Sequence, residues 1–119
     1  MYQFTGRARI LAQESTGIRI AFEAYARSLS EGRYYDAHND LEHLWFPRRF
    51  DKDDEVLFWK GLISAAVSFE LLKRGRPEAS QKAWQTYLKY SPLFKTLVTP
   101  HKELYDKIVQ LIEKKVGNV

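Results

Sequence analysis

One segment of the sequence combines titratable and aromatic side chains at helical spacing: YYDAHNDLEHLW, residues 34–45. His38 and Glu42 are four residues apart, so in a helix their side chains lie on one face. Tyr35 precedes His38 by three residues, and Trp45 continues the face by another turn. An imidazole beside a carboxylate can form a hydrogen-bonded pair, bind a metal ion or exchange a proton near neutral pH.

Three interpretations of this face stay open, and each assumes that it is buried. In the first, His38 and Glu42 satisfy each other as a structural latch, completed by an indole or a tyrosine hydroxyl. In the second, they bind zinc, iron or manganese, and a third ligand comes from elsewhere in the chain. In the third, Glu42 holds His38 in one tautomer for metal-free acid-base chemistry, although no partnered nucleophile is apparent.

A third metal ligand has to come from another part of the sequence. Glu70 is the best candidate, because it lies on the apolar helix that follows. The poorer candidates are Asp36, Asp40, His43 and His101. His43 lies off the motif face, and His101 follows a proline in the first turn of the last helix, so we expect both side chains to be exposed.

Apolar periodicity places the motif on the second of several helices. Apolar residues recur every three or four positions from about Thr16, and Gly32 supplies a C-terminal stop. The second helix spans residues 33 or 34 to 45 or 46, because Pro47 disfavours helical geometry at the residue before it. The intervening turn is so short that these two helices form an antiparallel hairpin.

The third helix is predicted to be central. The connector at residues 47–54 carries aspartates that can cap it, and Val56 to Lys73 is apolar on nearly all sides. Gly61, with Ala65 and Ser68, forms a strip of small residues that lets another helix approach closely. We expect that helix to be the second, so that Gly61 lies beside the motif pair.

Two further helices complete the predicted fold. Pro77 begins a fourth helix that runs to about Tyr90, and an apolar loop or short turn follows. The fifth helix has Thr99 as N-cap and Pro100 as its first residue. The sequence thus predicts an all-α fold, a single-domain antiparallel bundle of about five helices over residues 16–119.

Residues 1–15 are predicted to be an N-terminal arm or a short helix. The chain has 119 residues and is 45% hydrophobic, which suits one core. The third and fourth helices locally resemble tetratricopeptide-type hairpins in their glycine turn and in their small and large packing positions. Such arrays are defined by several stacked repeats, and this sequence shows one pair.

Composition predicts which kinds of partner the protein binds and where in the cell it is located. The sequence has no membrane-length apolar run and no cysteine, so disulfides and thiolate chemistry are excluded and we expect a cytoplasmic protein. Residues 61–119 hold 10 basic and 5 acidic side chains, but the lysines are spread singly, which argues against nucleic-acid binding. The expected partner is a protein or small-molecule ligand, and a homo-oligomer is compatible with the sequence.

The motif helix and the segment FWKGLISAAVSFELLKRG, residues 58–75, together resemble the paired motifs of domain-of-unknown-function family 309. Members are small all-helical proteins with an AHExLExxW helix and a GLIQxAxAxxHxxxG helix. The resemblance covers roughly residues 20–90. Because members are often labelled predicted metal-dependent hydrolases, the resemblance implies a divalent metal site.

The resemblance carries over residue by residue. The residues that match the motifs are His38, Glu42, Trp45 and Gly61. The departures from them are Asn39, Lys60, Ser64 and Glu70. We therefore predict a non-catalytic structural or binding module with a buried His/Glu latch. The alternative is a metal-dependent hydrolase whose metal is held by His38 and Glu42 with Glu70.

Overall fold

The computed structural model describes the backbone of residues 6–117 and the side chains of residues 15–117. Within this range it contains five α-helices and no strand, which confirms the all-α bundle. The helices are α1 (Gly6–Ser30), α2 (Tyr34–Trp45), α3 (Asp54–Lys73), α4 (Pro77–Tyr90) and α5 (Lys102–Gly117). Short 3-10 helices follow α2 (Phe46–Arg48) and α4 (Ser91–Thr96). No helix in the described range is long and apolar enough to cross a membrane.

The predicted N-terminal segment falls partly outside the described residues, which begin at residue 6. Residues 6–15 form the first part of α1, so this helix begins well before Thr16. Arginine, alanine, leucine and glutamine are good helix formers, and a helix that is already nucleated extends into them at little cost.

The turns at Gly32 and Gly75 follow one pattern. Both glycines have φ of +74°, which residues with a Cβ rarely adopt. The Gly32 N–H donates to the Leu29 carbonyl (3.1 Å) and the Arg33 N–H donates to the Ser28 carbonyl (2.9 Å). The corresponding bonds recur around Gly75. The predicted glycine stops are therefore confirmed in both helical hairpins.

The third helix is central, as its composition predicted. The Asp53 carboxylate caps α3 by accepting from the Glu55 N–H at 2.8 Å. Trp59 then meets Phe22 of α1, and Phe58 meets α5, while α2 and α4 pack along other sides. Because neighbours surround α3, its apolar residues are buried on several faces.

The strip of small residues on α3 lies against α4. A Cβ added at Gly61 would lie 3.0 Å from the Cβ of Tyr90 and 3.6 Å from the backbone nitrogen of Ser91. Two turns later the hydroxyls of Ser68 and Ser80 each donate to the other residue's carbonyl at 2.8 Å. The prediction of close helix approach is therefore right, and the predicted partner helix is wrong.

The partner differs because α2 packs along another side of α3. The residues of α3 that face α2 include Val67 and Leu71, which lie off the strip of small residues. Gly61 consequently does not adjoin His38 and Glu42. The sequence showed that a close helix contact exists, but helical spacing alone could not say which helix makes it.

The fifth helix begins at Lys102, so the predicted start at Pro100 is wrong. Its first bond runs from the Tyr105 N–H to the His101 carbonyl (2.9 Å), which makes His101 the N-cap. The Thr99 hydroxyl accepts from the His101 N–H (3.3 Å) and donates to the Glu55 carboxylate (3.0 Å). Thr99 therefore anchors the chain to α3 before the helix begins.

Candidate functional site

Helix α2 buries a different face from the one that the motif predicted. Its buried residues are Ala37 and Leu41, and Tyr34 packs partly against the core in the same stripe. Tyr35 is 56% exposed. Because Tyr34, Ala37 and Leu41 share the stripe that faces the core, the adjacent Tyr35 turns outward. Trp45, at the end of the helix, is partly buried.

The structure brings His38 and Glu42 together at the edge of the buried stripe. Nε2 of His38 lies 2.6 Å from a Glu42 carboxylate oxygen, and Nδ1 lies 3.2 Å from the Asn39 side-chain oxygen. The two paired side chains are 25% and 40% exposed, so the predicted burial is wrong. A solvent-accessible pair of this spacing stabilises a helix by only about 0.3–0.5 kcal/mol.

His38 also lines a depression between α2 and α3, which we call the α2–α3 groove. Its volume is about 160 Å³. Val67 and Leu71 form an apolar floor, and polar side chains form the rim. The lining residues are Tyr34, Tyr35, His38, Val67, Glu70, Leu71 and Arg74. His38 of the first motif and Glu70 thus line the same groove, as expected for the best candidate for a third ligand.

The side chains on the rim of the α2–α3 groove form a row of acidic, basic and aromatic groups in contact with one another. Glu70 accepts from Nε of Arg74 at 3.3 Å. The Arg74 guanidinium lies 6.0 Å from the centre of the Tyr35 ring, which is 5.9 Å from the His38 ring. Glu42 lies beyond His38 and ends this row. The rim therefore carries both acidic and basic groups, and it offers hydrogen-bond donors and acceptors to a ligand.

The predicted metal ligands do not assemble a metal site. Across the described side chains, no three histidine, aspartate or glutamate residues converge closely enough to hold one ion. His38 and Glu42 bond to each other, and Glu70 bonds to Arg74. A catalytic zinc site needs three protein ligands at about 2.0–2.2 Å. The residues present therefore do not fit the divalent metal that the resemblance implies.

The poorer ligand candidates have other partners on or near α2. Asp36 pairs with Arg33 at 2.8 Å, and Asp40 accepts from the Ser28 hydroxyl at 2.7 Å. His43 is exposed, as its place off the motif face predicted, and its Nδ1 lies 3.4 Å from a backbone carbonyl. These contacts tie α2 to its own turn and to α1.

A buried polar cluster that sequence reasoning missed joins α3 to α5. The Tyr105 hydroxyl donates to the Glu55 carboxylate at 2.6 Å and accepts from Nε1 of Trp59 at 3.0 Å. Burial, followed by the bond to Glu55, raises the pKa of Tyr105. In this Glu55–Tyr105–Trp59 cluster, Tyr105 and Trp59 have the burial that was expected of the motif pair, and Glu55 is partly buried.

His101 lies beside this cluster, and its predicted exposure is wrong. The side chain is buried, with Nε2 3.2 Å from the Ser15 hydroxyl and the ring 6.0 Å from that of Tyr105. Burial lowers the pKa of His101, the nearby Glu55 carboxylate raises it, and Arg19 lowers it. From the N-cap position this ring points toward α1. Its partner there, Ser15, is distant in sequence, so no local sequence pattern predicts the contact.

The comparisons with known proteins bear on the same two helices. A family model described as Domain of unknown function (DUF309) matches residues 22–83, just over half of the 119-residue chain. The match includes all of α2 and α3, and hence both sides of the α2–α3 groove. No curated protein and no solved structure matches the chain.

Proposed function

The chain belongs to the family described as Domain of unknown function (DUF309), and we propose that it is a non-catalytic helical binding module whose ligand site is the α2–α3 groove. One observation carries this proposal. His38 of the first motif and Glu70 of the second motif line the same accessible depression. Tyr35 and Arg74 surround it with further polar groups, and such convergence on a concave surface is typical of ligand sites.

The dimensions of the groove favour a ring-sized ligand group. Its volume of about 160 Å³ is close to that of an engineered cavity of about 150 Å³ that binds benzene. Val67 and Leu71 would contact the face of the ring, while His38, Glu70 and Arg74 would bond its polar substituents. The ligand chemistry is thus a planar ring with polar substituents, either a free small molecule or a side chain of a partner protein.

Binding without catalysis is supported by the state of the polar groups. His38 is bonded to Glu42 and Glu70 to Arg74, so the rim groups are held by their neighbours. The described lining contains no serine, threonine, cysteine or lysine nucleophile. Covalent hydrolysis through such a nucleophile therefore has no candidate in this lining, and the described residues do not form a metal site that could activate water.

Chemical shifts of the backbone amides test the proposal. Isotope-labelled protein is titrated with benzamide, benzoate and phenol, and we expect the amides of His38, Val67 and Leu71 to shift. Leu71→Trp should fill the groove and abolish these shifts. Leu88→Trp, at an exposed position of α4, is the matched control and should leave them unchanged. Shifts confined to other regions, or no shifts, would overturn the proposal.

Two further measurements separate the alternatives. Capped tripeptides with a central tyrosine or histidine are titrated in the same way, and tighter binding than the free fragments identifies a partner side chain as the ligand. Elemental analysis of protein purified without chelators should give substoichiometric metal. One ion per chain that is lost in His38→Ala would overturn the proposal and support the metal-dependent hydrolase.

A further inference from the structure

The connector between α2 and α3 exposes two aromatic rings around one cation. Phe46 is 50% and Phe50 84% exposed. The Arg49 guanidinium lies between them, 3.8 Å from the centre of the Phe46 ring and 4.5 Å from that of Phe50. Cation–π contacts hold these three side chains together, and we call this unit the Arg49 platform. Together the two exposed rings form an apolar patch of the kind that is typical of interaction sites.

The charge of the platform is uncompensated. Arg49 donates to the Phe46 carbonyl, and among the described residues neither Arg49 nor Lys52 forms an ion pair. The neighbouring Arg48 is different, because Asp51 lies 3.0 Å from its guanidinium and Asp53 lies 3.7 Å away. The connector thus leaves two cations available to an acidic group.

An apolar groove of about 400 Å³ adjoins the platform, and we call it the end groove. Ile18, Leu44, Pro47 and Trp59 provide its apolar lining, with His43 and Arg48 at the edge. The Trp59 N–H is used by Tyr105 inside the core, so the indole presents no free donor to the groove. This volume falls within the range of about 300–1,000 Å³ that is typical of sites for whole drug-sized ligands, whereas the α2–α3 groove holds only a ring-sized group.

Two observations favour a protein segment over a membrane or a nucleic acid. Both phenylalanine rings are stacked on a guanidinium, so inserting them into lipid would carry a buried charge with them. Arg48 is already paired with Asp51 and Asp53, so the connector offers two available cations and no extended basic surface to a continuous polyanion. A peptide, in contrast, can place a single carboxylate and an apolar side chain at separate points.

We propose that the Arg49 platform and the end groove form one docking surface for an acidic segment of a partner protein. An apolar side chain of the partner enters the end groove against Leu44 and Pro47, and a neighbouring aspartate or glutamate binds Arg49. The surface lies at the C-terminal end of α2, whereas the α2–α3 groove lies toward its N-terminal end. The two sites can therefore be tested separately.

A random twelve-residue peptide library displayed on phage is panned on the immobilised full chain. We expect the enriched peptides to share an aspartate or glutamate within three residues of a large apolar side chain. Calorimetry of a synthetic consensus peptide should then show at least tenfold weaker binding for Arg49→Ser and for Phe50→Ser. Arg27→Ser and Val98→Ser change an exposed arginine and an exposed apolar residue elsewhere, and should bind as the wild type does.

Three results would overturn the proposal. Failure to enrich peptides, enrichment of peptides without acidic residues, or binding that survives both Arg49→Ser and Phe50→Ser would each do so. Vesicles of phosphatidylglycerol and a single-stranded oligonucleotide are tested in parallel. If either binds through Arg49 and Phe50 while no peptide does, the partner class is wrong. Thermal melts of all variants establish that each remains folded.

Discussion

The His38–Glu42 pair on α2 and the Glu55–Tyr105–Trp59 cluster between α3 and α5 each hold a carboxylate 2.6 Å from its partner. Their surroundings differ. The first pair is partly open to water, while Tyr105 and Trp59 lie in the core. When one partner is removed, water replaces it readily at the first site, whereas at the second site the Trp59 N–H is buried away from water. Burial, and not bond length, therefore decides how much each contributes to stability.

The largest expected effect comes from Tyr105→Phe. Removing this hydroxyl leaves the Trp59 N–H without its acceptor and Glu55 without its closest donor, so the free energy of unfolding should fall by about 1–3 kcal/mol. Urea unfolding followed by circular dichroism measures the change.

Tyr87→Phe is the matched control for Tyr105→Phe. The Tyr87 hydroxyl is buried without a well-formed hydrogen bond to any described residue. Burial, then the charge of Glu113, raises the pKa of Tyr87 to about 12, and the Ser91 side chain opposes this rise. Its removal should therefore change stability little. Equal losses in the two variants would contradict the importance of the Glu55–Tyr105–Trp59 cluster.

A smaller loss is expected for Glu55→Gln. The amide keeps an oxygen that can accept from Tyr105, but a charge-assisted hydrogen bond becomes a neutral one. We expect a decrease of about 1 kcal/mol in the free energy of unfolding. Glu103→Gln, on the exposed side of α5, is the control and should be neutral. A loss in Glu55→Gln as large as that in Tyr105→Phe would mean that the charge dominates this cluster.

His101 links the buried cluster to pH. Its pKa in the folded protein is lowered, so the unfolded chain binds more protons as the pH falls through about 6.5. Stability should therefore decrease on acidification from about pH 7.5 to 5.5, by less than about 1.4 kcal/mol per pH unit from this group. His101→Gln should flatten this part of the profile. A steeper decline in the variant would show that other groups control the slope.

The smallest effect is expected at the motif pair. His38→Ala and Glu42→Ala should each change the free energy of unfolding by about 0.5 kcal/mol or less, because the pair is solvent-accessible. A double-mutant cycle measures the coupling directly. If the free energy of unfolding fell by about 1–3 kcal/mol in either variant, the result would support the buried latch and contradict the contrast with Tyr105.

Local signals predicted much of the fold. Gly32 and Pro47 bound the motif helix, Gly75 and Pro77 separate α3 from α4, and the all-round apolar composition of α3 identifies it as central. These features depend on a few neighbouring residues and on backbone preferences that every chain shares.

The features that escaped prediction depend on distant neighbours. Tyr34 and Tyr35 are adjacent and alike, so only the packed neighbours decide which of them turns inward. The burial of His101 depends on Ser15 and Tyr105, and the partner of Gly61 depends on the path of α4. The paired motifs did identify two helices that line one groove, although they did not show that the groove is open to solvent.

The contact of Tyr105 with α1 and α3 joins the segment that the family model matches to a helix outside it. The matched segment ends at residue 83, inside α4, and leaves out all of α5. Yet Tyr105 packs 4.9 Å from the rings of both Phe22 and Phe58, and completes the bonding of Trp59. The segment that the family model matches is thus shorter than the segment that packs into one core. In this protein, the last helix supplies part of the core around which the recognisable segment folds.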